Sequence, residues 1–433
     1  MDAKKPTLMI TLLGAAVLTL GCLRPGSSAI NPKRIPQQKP TASDFGAAAG
    51  LDQPLRRFGV ALFRNRVKAS PDANVFLSPV SLSQALAMTM NGASGATRDA
   101  MAKTLALDGL PLDQANANSS ALARVVAGES EGVTVRIANA LWANTGVTFA
   151  PDFAARVGAG YGARTTTLDM AREGAPAINA WVSKETAGKI DSIVQPADLA
   201  RATTVLTNAV YFKGTWTAPF PKEATKDGPF TVAPGSVKTL PLMRQKESLD
   251  YAEGDGYKAV RLGVGPAPKP GDANQTPVRR PALYFLLPDE DTNVGALAAK
   301  MDAQAWDAAT RRRGFARRDV DLTLPRFKVE YGAAMKWPLS DLGMGIAFGG
   351  NADFAPMGLK GDAIGEVLHK AVLEVNEEGA EAAAATAVVV TRAAAQPEPP
   401  VRLVFDRPFL VAIRDDTTGA LLFLGLVRDP QAL

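Results

Sequence analysis

The chain has 433 residues, 46% of them hydrophobic and 21% charged, with a formal net charge of +5. That is a globular composition with ample material for a core, and a surface this mildly basic gives no nucleic-acid signature. The only cysteine, Cys22, excludes internal disulfides, and the only histidine, His369, is the single residue on which a His-dependent catalytic triad could draw.

Residues 1–21 have the pattern of an export signal. Lys4 and Lys5 form a charged start, and Leu8 to Leu20 an apolar run. The run is short for a spanning helix. It ends in Thr19-Leu20-Gly21-Cys22, which looks like a bacterial lipobox, with Gly before a cysteine that is acylated after cleavage. The order of residues before Gly21 is imperfect, and ordinary secretion with an incidental cysteine is the alternative. A lipid on Cys22 would anchor the chain without spanning the bilayer. Leu23, not Asp, follows it. The expectation is an exported lipoprotein of the outer membrane or cell surface, or else a secreted protein. Residues 22–50, rich in Pro, Ser, Ala and Gln, are expected to be a flexible tether. Residues 51–433 then form one domain.

Leu55, Phe58, Leu62, Phe63 and Val67 predict a helix beginning near Pro54. Ser81 is the expected cap of a second helix, Leu82 to Met90, just after Ser78-Pro79. Asn91 to Gly95 breaks it, and another helix follows from Ala96 to Leu105. Strands are expected over Val133 to Trp142, Val205 to Phe212, Ala282 to Leu287 and Val320 to Val329, with a helix over Ala175 to Thr186 and a turn at Gly188. Gly263 to Pro281 holds five prolines and has the character of an insertion between strands. Arg311-Arg312-Arg313 and Arg317-Arg318 form a basic cluster, either a solvated helix end or a polyanion site. Separate helices and non-alternating strands give an α+β class. No Gly-x-Ser-x-Gly elbow, P-loop or zinc-ligand spacing is present.

The unusual segment lies near the C-terminus. Glu377-Glu378-Gly379-Ala380-Glu381 leads into Ala382 to Ala385, Thr386, Ala387 and three valines. Alanines favour helix, whereas Thr and Val favour strand. The segment can therefore live as an exposed loop or as a strand; the bland alternative is an Ala-rich surface loop. As a strand, Ala380, Ala382, Ala384, Thr386, Val388 and Val390 would share one uncharged face. Glu381 would fall on the other. Each new ladder bond contributes about 1 kcal/mol net, so inserting such a strand would release on the order of 10 kcal/mol, comparable to the stability of a whole domain.

Other motifs agree with that double life. They are Asn74-Val75-Phe76-Leu77-Ser78-Pro79-Val80-Ser81, Thr207-Asn208-Ala209-Val210-Tyr211-Phe212-Lys213-Gly214-Thr215-Trp216, Leu324-Pro325-Arg326-Phe327, Val367-Leu368-His369 through Gly379, Val404-Phe405-Asp406-Arg407-Pro408-Phe409 and Leu422-Phe423-Leu424-Gly425. In this order and spacing they resemble the serpin family of protease inhibitors, from about Asp52 to Pro430. The resemblance implies an α+β serpin fold of three β-sheets, eight or nine helices and an exposed reactive-centre loop. It implies a monomeric inhibitor with no catalytic group and no cofactor, whose partner is a serine protease. His369 would sit in the shutter beneath the central sheet, bonded to Asn208 and Ser78, with Ser81 beside them. Trp216 would mark the breach where the loop first enters. Glu377 and Gly379 would form the hinge, and Ala380, Ala382, Ala383, Ala384, Ala385 and Thr386 the insertable strand.

In many inhibitory serpins the residue before the scissile bond lies fourteen places after the hinge glycine. That count gives Ala393-Ala394, and so elastase-like or subtilisin-like targets. A register shorter by one gives Arg392-Ala393, suited to trypsin-like enzymes. Two alternatives share the same fold: a non-inhibitory binding or scaffold lipoprotein, and a cross-class inhibitor of cysteine proteases.

Overall fold

The computed structural model describes residues 39–200, 202–267, 277–380 and 399–433. The export signal, Cys22, residues 268–276 of the Pro-rich insertion, Ala382 to Thr386 and Arg392, Ala393 and Ala394 lie outside them. The described residues form eleven α-helical segments and two hydrogen-bonded sheets.

The central sheet runs Gln431–Ala432, Phe327–Ala334, Glu366–Val375, Thr204–Thr215, Val133–Asn144 and Gly128–Ser130. Arg164–Leu168 pairs alongside Val133–Asn144, and Gly379–Ala380 alongside Thr204–Thr215. Within the main path, only Glu366–Val375 and Thr204–Thr215 pair in parallel. Both strands are apolar runs with little alternation, as expected where both faces are covered. The second sheet contains the nineteen-residue strand Ser236–Gly254. This strand bonds Ala316–Pro325 along Leu242 to Tyr251 and Tyr257–Gly263 along Asp250 to Gly254. The expected second and third sheets are therefore continuous through it.

Three local details differ from the sequence expectation. Val320 to Val329 is two strands, not one: Ala316–Pro325 belongs to the second sheet and Phe327–Ala334 to the central sheet. Pro325 has no N–H to carry a ladder onward, and the Arg326 N–H turns to the Pro241 carbonyl. The helix Pro79–Met90 is capped by Ser78, whose hydroxyl accepts the Ser81 N–H, so Ser81 lies inside the first turn. Proline suits the first helical position, which moves the start forward. Finally, Ala42–Ala49, within the stretch expected to be tether, is helical. Thr41 and Asp44 form a reciprocal capping box, and Phe45 and Ala48 are buried. The Asp44 carboxylate accepts two hydrogen bonds from Arg124.

The main core lies behind the central sheet. Phe212 and Phe76 pack on Phe423, and Phe285, Phe405 and Phe409 form an edge-to-face group. A second apolar cluster covers the front. There Ile178 and Val182 of the helix Ala175–Glu185 join Val205 and Ala209 of one parallel strand to Leu368 and Val372 of the other. That helix therefore sits across the parallel junction.

Candidate functional site

The junction between Glu366–Val375 and Thr204–Thr215 is a seam, paired from Glu366 opposite Val205 up to Val372 opposite Tyr211. His369 stands opposite Asn208 in its middle. The ring Nδ1 lies 2.6 Å from Asn208 Oδ1, and Nε2 lies 3.3 Å from the Ser78 N–H. Since Nε2 accepts, Nδ1 carries the proton and donates to Asn208. The Asn208 amide in turn donates to the Ser81 carbonyl (3.0 Å), the Ser81 hydroxyl (2.5 Å) and Asn139 Oδ1 (2.5 Å). One network thus crosses three strands' width and reaches the helix Pro79–Met90. Burial drives the His369 pKa down to about 3, opposed only by the hydrogen bond with Asn208. The imidazole is neutral, and an uncharged network is what a dry interior tolerates. Ser78, Ser81, Asn208 and His369, predicted as a group, are brought together here.

Above Tyr211 and Val372 the two strands part, and the hinge occupies the gap. Gly379 pairs with Thr215 and Ala380 with Gly214, antiparallel. A tight turn delivers them. Asn376 and Gly379 exchange backbone hydrogen bonds at 2.9 and 3.2 Å, and Asn376 Oδ1 accepts the N–H groups of Glu378 and Gly379. Gly379 has φ of +135°, and a Cβ there would lie 2.2 Å from the Gly214 carbonyl oxygen. Glycine is required by both angle and space.

Trp216, 4% exposed, closes the top. Its indole N–H donates to the Asn376 carbonyl at 2.8 Å, its backbone N–H to the Glu378 carbonyl, and its ring meets Phe220 edge-on. The Glu377 carboxylate is buried. It accepts a hydrogen bond from the Thr225 hydroxyl at 2.8 Å, and Arg326 lies 3.6 Å away. Glu378 pairs with Lys222, whose pKa the hydrogen bond and charge of Glu378 raise. A polar cleft lined by Lys222, Lys226, Arg326 and Glu377 opens beside the turn.

Five participants escape sequence reasoning: Asn139, Asn376, Thr225, Arg326 and Lys222. Asn139 carried a signal, a lone amide inside Ile137-Ala138-Asn139-Ala140-Leu141. Asn376 carried one too, since Asn is favoured where a side chain replaces a backbone partner in a turn. The other three act across long sequence separations and carry no local signal. The basic cluster is partly compensated. Arg311 pairs with Asp307, and Arg312 and Arg317 lie 4.0 and 3.8 Å from Asp250.

This arrangement provides a closed seam, a neutral latch across it and a strand already started at its open end. A family model described as Serpin (serine protease inhibitor) matches residues 53–430. The leukocyte elastase inhibitor of Sus scrofa is 34% identical over 384 residues, covering 86% of this chain and 98% of that protein. Serpin-Z1A of Triticum aestivum is 33% identical over 377 residues, covering 83% and 91%. Among solved structures, the native state of the thermophilic serpin tengpin matches with a TM-score of 0.76 and 28% identity, covering 88% of this chain and 94% of that one.

Proposed function

This chain belongs to the serpin family of serine protease inhibitors, and we propose that it traps serine endopeptidases as a suicide substrate, its loop entering the seam after cleavage at Ala393-Ala394. The observation that carries the proposal is the hinge register. Gly379 opposite Thr215 and Ala380 opposite Gly214 fix how a longer strand would continue. Ala382 would meet Phe212, Ala384 Val210, Thr386 Asn208, Val388 Leu206 and Val390 Thr204. Partners directly opposite share a sheet face. Phe212, Val210 and Leu206 belong to the main core, so the face they set must be small or apolar, and the loop residues falling on it are. Glu381 would stand across from Lys213, giving an opposite-charge pair on the other face.

The chemistry is the protease's. Its serine attacks the scissile carbonyl, the amine of Ala394 leaves, and an acyl-enzyme remains on Ala393. The freed strand then enters the seam. It breaks the Glu366–Val372 pairing, gains its own ladder on both sides, and draws the acylated residue toward the Thr204 end. Strand addition and release of stored strain supply the drive. The elastase-inhibitor relatives favour an elastase-like target, and alanine at the scissile position agrees with that. The competing reading, a non-inhibitory binding or scaffold protein, has no observation in its favour at the hinge. We also propose export with a lipid anchor at Cys22. Membrane fractionation of the Cys22→Ser variant tests it, and retention of that variant on membranes would end the idea.

The direct test mixes the full chain with elastase, subtilisin and trypsin. The expected result is an SDS-stable complex with elastase or subtilisin and a released peptide beginning at Ala394. A peptide beginning at Ala393 with trypsin moves the site to Arg392. Clean cleavage without a complex for all three proteases overturns the proposal.

A further inference from the structure

Trp337 is 73% exposed, more than any other large hydrophobic side chain among the described residues. A lone exposed apolar side chain needs no explanation by itself; its position supplies the argument. Trp337 lies on the short helix Lys336–Leu339, which continues directly from the strand Phe327–Ala334. The Met335 N–H bonds the Val367 carbonyl, and the Lys336 N–H bonds Glu366 Oε1 at 3.0 Å. Glu366 is opposite Val205, and the Gly365 N–H closes on the Thr204 carbonyl at 2.8 Å. The helix therefore stands level with the far end of the seam, at the opposite pole from the hinge. Pro338 and Leu339 are buried and hold it there, while Lys336 places its ammonium 6.0 Å from the indole centroid.

We infer that Trp337, with Lys336 beside it, is a contact surface for the trapped protease, buried only after the loop has carried its acylated end to this pole. The inference rests on the trapping mechanism proposed above. The hinge register puts Val390 opposite Thr204, so Ala393 lies three residues further, roughly 10 Å beyond the seam at 3.3 Å per residue. The strand Phe327–Ala334, which runs into the Trp337 helix, is two strand spacings from the inserted strand, about 10 Å sideways. A protease of about 220 residues has a radius of gyration of about 17 Å. Joined through its active-site serine to Ala393, it must press against this face. A tryptophan already standing clear of the surface is the side-chain type that concentrates binding energy when desolvated.

The test compares the full chain with its Trp337→Ala and Trp337→Phe variants, using elastase. The association rate is expected to be unchanged, because docking occurs at the loop. Active elastase should reappear from the Trp337→Ala complex at least about threefold faster than from the wild-type complex. Acrylamide quenching isolates the Trp337 emission as the difference between wild type and Trp337→Phe. That emission should be accessible in the free chain and shielded in the complex. It should stay accessible in a chain whose loop a metalloprotease has cut, since that enzyme forms no acyl intermediate. Equal complex lifetimes, an accessible Trp337 in the complex, or shielding already present in the cut chain would each overturn the inference while leaving trapping intact. Absence of any SDS-stable complex removes the reading beneath it, and this inference with it.

Discussion

At the hinge end, Glu378 is held by Lys222, a side chain 69% exposed, and Glu377 by a hydroxyl and an arginine at 3.6 Å. Halfway down the seam, His369, Asn208, Ser78 and Ser81 are sealed from water and bonded to one another without any formal charge. The Lys222–Glu378 pair, which water can replace, is at the end where a strand has already begun to enter. The contacts that water cannot reach guard the part still zipped. Exposed ion pairs contribute little and exchange readily with solvent, whereas a buried polar group that loses its partner costs about 1–3 kcal/mol. Entry is therefore expected to be easy to start and costly to continue. That gradient suits a loop held metastable until it is cut.

The largest effect should come from blocking continuation outright. If a strand continued in the hinge register, Ala384 would meet Val210, which is 1% exposed and belongs to the main core. The Ala384→Arg variant would drive a charge into that face, where an unpaired ion is not accommodated. The expected outcome is conversion from inhibitor to substrate: loop cleavage at an unchanged rate, with the yield of SDS-stable complex down at least about tenfold. Undiminished complex would show that the loop does not insert in this register.

Opening the latch comes next. His369→Ala leaves Asn208 Oδ1 and the Ser78 N–H without their partner and a cavity behind them. A loss of about 3 kcal/mol is expected, read as a lower denaturant midpoint. The same residue sets a pH dependence. Its folded pKa, about 3, lies below the ordinary imidazole value of 6.5. Between those values the unfolded chain binds a proton that the folded chain refuses. The contribution is fully present above pH 6.5 and falls as pH drops toward 3, with a limiting slope of about 1.4 kcal/mol per pH unit. His369 is the only histidine, so wild type should lose stability from pH 6.5 to 5 and His369→Gln should lose less. Parallel curves would place the ring's burial in doubt.

A smaller change is expected at the top. Trp216→Phe keeps an aromatic ring near Phe220 but removes the 2.8 Å bond to the Asn376 carbonyl. About 1 kcal/mol should be lost, with hydrogen exchange rising first at Glu378 and Gly379. Exchange rising first at His369 would reverse the proposed gradient.

How legible the seam was in the sequence follows the same division. His369 stood out as the only histidine, set in an apolar run, whereas Asn208 was marked only through the family resemblance of its motif. Gly379 stood out because a glycine precedes a run of alanines. The parallel pairing itself was invisible, since Glu366–Val375 and Thr204–Thr215 lie far apart in the chain and neither carries a mark of its partner. Arg326 lies in the Leu324–Phe327 motif with no local mark of its role, because its partner Glu377 is brought near only by the fold. The merging of two sheets through Ser236–Gly254 was hidden for the same reason: strand length is local, but the two neighbours sharing one strand are not. The helix Ala42–Ala49 failed differently. Its alanines and glycine carried weak periodicity, and the composition of the surrounding residues hid a capping box that was present in Thr41 and Asp44.

That helix supplies the smallest prediction. Asp44 is buried at its carboxylate, and the hydrogen bonds from Arg124 hold its pKa at about 2 against partial burial. A depressed carboxylate contributes stability above its unfolded value, 3.8, and loses that contribution as pH falls toward 2. Asp44→Asn keeps the shape and removes the charge, so about 1 kcal/mol should go. The loss should be seen at neutral pH and vanish near pH 2. Because the helix packs on Leu112–Val126, and Gln84 ties the shutter helix Pro79–Met90 to Ser119 of that same element, the readout extends beyond this corner. Amide protection in Leu112–Val126 should fall in Asp44→Asn, while protection at Asn208 and His369 stays at the wild-type level. Equal loss at both places would make the N-terminal helix part of the latch and erase the contrast between a seam guarded from within and a surface that merely supports it.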